Sequence, residues 1–250
     1  MKYKALFLDL DGTTIPNKFD GMPSDRVREA IHKAKAKVFV CIATSRPLPF
    51  AKSVLDHLDI RGFCSVNDST QIYDPVKQKI IQTIYIQPKD VPKVVDVFSQ
   101  YNVLLFSGDG VVECAYDFDK KPINNICVFG VEHISEKLAD ELIGQLTKIS
   151  TIAAHKIFSY KKGLFWVTVT NAVATKLHSV VTIAEMLGVK TEEMIGVGDG
   201  YNDYPLLSAC GLKIAMGNAA PELKAIADFI APTVDEDGVS TVIEKFILTS

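Results

Sequence analysis

Apolar runs of β type alternate with helix-period patterns at both ends of this 250-residue chain, and that alternation constrains the fold more than any other feature. Residues 5–8 read as a buried strand. Ser24 can cap a helix whose apolar positions Val27, Ala30, Ile31 and Ala34 share one face. Residues 38–43 read as a second strand and 49–58 as a second helix. Toward the other end, residues 165–170 read as a strand. Thr175 caps a helix running to Leu187, with Gly188 where a C′ glycine belongs. Residues 194–197, 212–215 and 229–231 read as further strands. Strands separated by helices need crossover connections, so the expected class is α/β with a Rossmann-like parallel-sheet core.

The middle of the chain has a different texture. Residues 80–86 read as a strand, and Val91, Val94, Val95 and Phe98 mark a helix. Residues 103–106 and 111–116 read as strands flanking a turn at 107–110. Then follow a strand at 126–131, a helix at 136–146 and a strand pair at 152–160. A strand-helix-hairpin order given about twice predicts a small α+β cap domain at 80–164, inserted into a core made of 1–79 and 165–250.

Composition excludes several classes. The formal net charge is −3, so no global basic field exists to hold nucleic acid. The basic cluster His32, Lys33, Lys35 and Lys37 reads as a solvated helix end, where cations suit the dipole. Cys41, Cys64, Cys114, Cys127 and Cys210 are scattered and contain no Cys-x-x-Cys pair. That opposes a disulfide framework or a thiolate zinc site and fits reduced thiols in a cytoplasmic protein. The N-terminal Met1-Lys2-Tyr3-Lys4 does not read as a signal peptide, and no apolar run reaches the length of a membrane span.

The chemistry gathers at the expected strand ends. Asp9 and Asp11 sit two apart at the end of the first strand, and residues i and i+2 of an extended segment point the same way. The second strand runs into Thr44-Ser45-Arg46. A later one runs into Gly198-Asp199-Gly200-Tyr201-Asn202-Asp203, with Lys176 before it near a helix start. Ligands of open parallel sheets bind at the carboxyl ends of the strands, so these groups are expected to share one site. Clustered carboxylates without His or Cys ask for a hard cation, most naturally Mg²⁺. A cation in the first turn of a helix opposes the dipole unless an anion lies there too, which suits Lys176 to a phosphate.

In that order these motifs resemble the haloacid dehalogenase superfamily of phosphohydrolases, and within it the Cof-type branch, whose α/β cap lies between the second and third motifs. The carriers are Asp9-Leu10-Asp11-Gly12-Thr13, Thr44-Ser45-Arg46, Lys176 and Gly198-Asp199-Gly200-Tyr201-Asn202-Asp203. Ala215-Met216-Gly217-Asn218-Ala219 and Asp235-Glu236-Asp237-Gly238-Val239 add to it. Ser45 departs from the usual Thr-Gly-Arg and Leu177 from the usual Lys-Gly, which alters backbone freedom without removing a reactive group. The resemblance implies a Mg²⁺-dependent phosphatase acting on small phosphorylated metabolites, such as sugar phosphates, through an aspartyl phosphate. Asp9 would be the nucleophile and Asp11 the acid and base. Thr44 and Lys176 would hold the phosphoryl group, with Gly12, Ser45, Arg46 and Asn202 beside it. Asp9, the Asp11 carbonyl, Asp199 and Asp203 would serve the metal, and Thr13 would orient the acids. The expected molecule is a monomer whose cap covers the site.

Other readings compete. A sugar phosphomutase would use the same centre. A non-catalytic phospholigand protein of receiver type would be about half this length and lack the insert. A dinucleotide site at Gly196-Val197-Gly198-Asp199-Gly200 has the wrong glycine spacing. Trp166 reads as core packing. Asp235-Glu236-Asp237 reads as a solvated loop. The five histidines do not cluster in sequence, so none is assigned to catalysis.

Overall fold

The computed structural model describes residues 2–109, 113–117 and 125–249. The first segment carries β1 (Ala5–Leu8), α1 (Asp25–Ala34), β2 (Phe39–Ala43), α2 (Leu48–His57), β3 (Cys64–Val66), β4 (Gln71–Asp74) and β5 (Lys79–Thr83). The middle third of the chain carries α3 (Val91–Ser99), β6 (Phe106–Gly108), β7 (Glu113–Ala115), β8 (Val128–Ile134), α4 (Glu136–Leu146), β9 (Ile152–Phe158) and β10 (Phe165–Asn171). The last carries α5 (Lys176–Leu187), β11 (Met194–Gly198), α6 (Tyr204–Ser208), β12 (Leu212–Ala215), α7 (Pro221–Ile226), β13 (Phe229–Ile230) and α8 (Gly238–Ile243).

Two sheets result. The larger has eight strands in the order β13-β12-β11-β1-β2-β3-β4-β5. It is parallel from β13 to β3, and β4 and β5 close it antiparallel. The smaller has five strands, β7-β6-β8-β10-β9, all antiparallel. Each sheet has its own apolar core. One cluster joins Phe7, Ile42, Ile195 and Val242; the other joins Phe98, Phe129, Leu142 and Val167. Among the described residues no helix is long and apolar enough to cross a membrane.

The helix ends follow their sequence signals. Ser24, Ser135 and Thr175 each accept a hydrogen bond from the backbone N–H three residues on, at the N-termini of α1, α4 and α5. Gly188 ends α5 at φ +65°, the left-handed conformation that glycine adopts without steric cost.

Several expectations need correction. The strand expected at 80–86 to open the insert is β5, which pairs with β4 at the edge of the larger sheet. The chain leaves that sheet only after Thr83. The strand expected at 165–170 in the core is β10, which lies between β8 and β9 in the smaller sheet. Its burial shows why: Phe165, Val167 and Val169 face inward while Trp166 and Thr168 are half-buried, the alternation of an antiparallel strand covered on one face. In β11, by contrast, every residue is buried, as a central parallel strand requires. Residues 152–158 form one strand rather than a pair. Ser107 and Gly108 belong to β6 and pair with β7, so they are not turn residues; Gly110 and residues 111–112 lie outside the described residues. The short strands β3 and β4 have no counterpart in the sequence reading.

Candidate active site

β1 lies at the centre of the larger sheet, with Leu8 beside Ile42 of β2 on one side and Val197 of β11 on the other. The register brings three strand ends to one edge. The Asp9 N–H donates to the Val197 carbonyl at 3.0 Å, so Asp9 is the last residue held by the sheet. Immediately beyond, the N–H groups of Thr13, Thr14 and Ile15 converge on the Leu10 carbonyl, and Thr14 Oγ1 donates to the Asp9 carbonyl at 2.6 Å. That tight turn fixes the Asp9 and Asp11 backbone.

Lys176 is the first residue of α5 and is buried, not the solvated surface lysine its charge alone would suggest. Its ammonium lies 2.6 Å from Asp9 Oδ1 and 2.5 Å from Asp203 Oδ1. Burial alone would lower its pKa, but the Asp203 and Asp9 carboxylates outweigh it and hold the pKa above the ordinary lysine value. The other Asp203 oxygen accepts from the Asp199 and Gly200 N–H groups, each at 2.9 Å. Asp203 is thereby a structural clamp on the loop that carries Asp199.

Asp9, Asp199 and Asp203 each bring an oxygen within 4.8 Å of the others. Three carboxylates face one ammonium. Burial foremost, then the charge of Asp203, pushes the Asp9 pKa up to about 7. Burial, then Asp9 and Asp203, pushes the Asp199 pKa well up. Such crowding is costly without further positive charge. The donors are hard oxygens with no thiolate or imidazole among them, so the cluster fits a hard divalent cation. Gly12 shapes the same place. Its φ is +79°, and a Cβ there would lie 2.2 Å from Asp199 Oδ2, so only glycine lets the turn approach that acid. Asp199 is oriented further by Thr13 Oγ1 at 3.1 Å and Asn218 Nδ2 at 3.2 Å.

Asp11 stands apart from that cluster. Arg46 grips it with two parallel bonds, Nε to Oδ2 at 2.8 Å and Nη2 to Oδ1 at 2.5 Å. Arg46 also donates to the Lys18 carbonyl at 2.9 Å. Expected beside a phosphate, its guanidinium is instead committed to Asp11 and the loop after β1. Thr44 Oγ1 accepts from the Arg46 N–H at 3.1 Å, which leaves the hydroxyl proton free to donate into the site. Ser45 Oγ accepts from Asn202 Nδ2 at 3.1 Å, tying the ends of β2 and β11 together.

These groups form one end of a cavity of about 530 Å³. Asp9, Asp11, Thr44, Ser45, Arg46, Asp199 and Asn202 line it; Lys176 and Asp203 lie behind Asp9, and Gly12 lies beneath Asp199. The far wall comes from the smaller sheet. Trp166, expected in a core, faces this cavity. The sequence reading missed Asn218, whose Nδ2 bridges Asp199 and the Gly12 carbonyl, although it lies in one of the quoted motifs. It also missed Asp68, which lies between β3 and β4 and carries no local signal.

A family model for haloacid dehalogenase-like hydrolases matches residues 6–115 and 111–243. A 5-amino-6-(5-phospho-D-ribitylamino)uracil phosphatase of Bacillus subtilis is 25% identical over 251 residues, covering 98% of this chain and 96% of its own. A putative phosphatase of Haemophilus influenzae is 26% identical over 264 residues, covering 98% of each chain. Among solved structures, a haloacid dehalogenase-like hydrolase from B. subtilis superposes with a TM-score of 0.83 at 18% identity, over 98% of this chain and all of that one (100%). With the carboxylate-lysine centre at the ends of β1 and β11 and a second sheet across the cavity, the match along nearly the whole length means that this chain belongs to the haloacid dehalogenase-like hydrolases, as a phosphohydrolase of the Cof type.

Proposed function

We propose that the protein is a Mg²⁺-dependent phosphatase of small phosphomonoesters that works through a phospho-aspartate at Asp9. One observation carries the reading: a buried carboxylate at the end of the central strand, paired to one lysine, backed by two further acids and open to a closed-in cavity. Mg²⁺ held by Asp9, Asp199 and the backbone near Asp11, with Asp203 supporting it, would supply counter-charge for the phosphoryl oxygens.

The chain's own groups account for the remaining steps. Asp9 attacks phosphorus with one carboxylate oxygen, and the bond from phosphorus to the ester oxygen breaks. Lys176 holds the Asp9 carboxylate from behind and the Thr44 hydroxyl donates to a phosphoryl oxygen; positioning and charge stabilisation supply most of the catalysis in phosphoryl transfer. Asp11 gives its proton to the leaving oxygen. It then takes a proton from water, which attacks the acyl phosphate, releases inorganic phosphate and restores Asp9. For this the Asp11 side chain must turn from the Arg46 guanidinium toward Asp9. The smaller sheet serves as a cap that excludes water and meets the leaving group. One relative is a 5-amino-6-(5-phospho-D-ribitylamino)uracil phosphatase of B. subtilis, which accords with a small phosphomonoester as substrate.

The test is phosphate release from a panel of esters with and without Mg²⁺, beside Asp9→Asn. Metal-dependent release that the variant lacks is the expected result. An isomerised sugar phosphate without free phosphate would instead make the protein a mutase built on the same centre.

A further inference from the structure

Ser45 stands where the family pattern has glycine, so its hydroxyl is an addition that the reaction centre has to accommodate. That hydroxyl is not idle. Its Oγ accepts from Asn202 Nδ2 at 3.1 Å, which leaves its one proton to be donated. The Asp68 carboxyl faces it and is the acceptor. Ser45 therefore joins an amide on one side to an acid on the other. The backbones are joined as well. The Asp68 N–H donates to the Ser45 carbonyl at 3.2 Å, and the Asn67 N–H to the Arg46 carbonyl at 2.8 Å.

The turn that presents Asp68 has a costly shape. Asn67, Asp68 and Ser69 hold φ of 55°, 50° and 64°, three consecutive left-handed residues without a glycine. Glycine would adopt that backbone freely. Strain of this kind persists where the surroundings over-determine it, and it gathers at functional sites.

The link has two ends. On the larger sheet's side, Asn202 lies in the short turn Tyr201–Asp203. Its neighbour Asp203 holds the Lys176 ammonium and the N–H groups of Asp199 and Gly200. Pinning Asn202 pins the clamp behind Asp9 and the loop of Asp199. On the smaller sheet's side, Asp68 faces His155 and Thr168. Those two are direct register partners on β9 and β10, so their side chains share one face of that sheet. β9 also reaches the same turn directly, through the ring of Phe158 at 5.3 Å from that of Tyr201. The smaller sheet touches the Tyr201–Asp203 turn once by stacking and a second time through Asp68 and Ser45.

On the phosphatase reading above, we infer that Ser45 and Asp68 are positioning residues that tie the seating of the smaller sheet to the placement of Asp203 and Asp199. Asp68→Gly removes the carboxyl at a backbone that suits glycine, so it should lose little stability to urea. Ser45→Ala removes the hydroxyl and Ser45→Thr returns it. For the best ester of the panel, Asp68→Gly and Ser45→Ala should each lower kcat about tenfold, the scale of one hydrogen bond to a charged group, with KM little changed. Ser45→Thr should recover most of that loss. The double variant should be no slower than either single one, because the residues act in series. His155→Ala should slow the unaltered protein and add nothing to Asp68→Gly. Without ester, the Mg²⁺ dissociation constant from calorimetry should rise in both single variants and no further in the double one. Unchanged kcat, losses that multiply in the double variant, or a kcat loss that only follows lost stability would overturn the inference and leave the phosphatase reading standing. If the unaltered protein turns over no ester, that reading falls and calorimetry decides the link alone: a non-additive rise keeps it, and unchanged Mg²⁺ binding ends it.

Discussion

At the scale of single residues, the arrangement separates two carboxylates that lie two apart in sequence. Asp9 is buried against Lys176, whereas Asp11 is partly exposed and gripped by Arg46. On the proposed mechanism the first would be the nucleophile and the second, once turned from Arg46, the proton carrier. Asp11→Asn should therefore lower turnover of alkyl phosphates about 10²–10⁴-fold, the usual contribution of general acid-base catalysis. With p-nitrophenyl phosphate, whose leaving group needs no proton, the same variant should release a stoichiometric burst of nitrophenolate before slow turnover, because only the water step still lacks its base. Equal slowing of both esters, with no burst, would remove Asp11 from that role. That Asp9 and Asp11 border one cavity was legible from their place after an apolar strand, but strand alternation does not set their directions, since β1 ends at Leu8 and Asp11 lies beyond it. The Arg46 grip was not, since it depends on how the loop after β1 folds back over the second strand end. Asn218 and Asp68 were hidden for the same reason: each acts through contacts about 20 to more than 200 residues away in the chain, such as Asn218 with Asp199 and with Gly12.

At the scale of elements, capped helices and fully apolar strands were readable, and sheet membership was not. Ser24, Ser135 and Thr175 each announce a helix start by a local hydrogen bond, so sequence alone places α1, α4 and α5. β5 and β10 are ordinary strands by composition, and only their partners decide which sheet takes them. β3 and β4 are three and four residues long, too short for a period to register. The cap of α5 matters for chemistry because Lys176 follows it directly. Thr175→Ala removes the acceptor for the His178 N–H and should cost about 1 kcal/mol of stability. It should also reduce kcat more than a remote mutation of equal cost, since the first turn positions the ammonium. Chemical denaturation and steady-state kinetics on the same sample check both; a stability loss with unchanged kcat would mean that Asp9 and Asp203 hold the lysine unaided.

At the scale of the whole molecule, two separately cored sheets meet at the site, and the seam carries half-buried titratable groups from both sides. Phe158 of β9 stacks on Tyr201 of the loop after β11 at 5.3 Å. Close by, His155 of β9 faces Asp68 from the β3–β4 loop. Burial lowers the His155 pKa below its ordinary 6.5, with Asp68 only partly opposing. Burial likewise raises that of Asp68. The signs oppose each other. A histidine whose folded pKa is depressed binds its proton more readily when unfolded, so stability is full above about 6.5 and declines as pH falls through that value. A carboxyl whose folded pKa is raised acts the other way, favouring the folded state below its unfolded pKa of about 3.9 and losing that contribution as pH rises. A difference between variants removes every contribution that does not involve His155, leaving the imidazole together with its effect on Asp68. The stability margin of the unaltered protein over His155→Gln, measured by urea denaturation without metal, should shrink as pH drops from about 7 to about 5. A margin that stays constant over that range would mean the imidazole keeps the same proton affinity in both states, and the seam would then be open to water at β9.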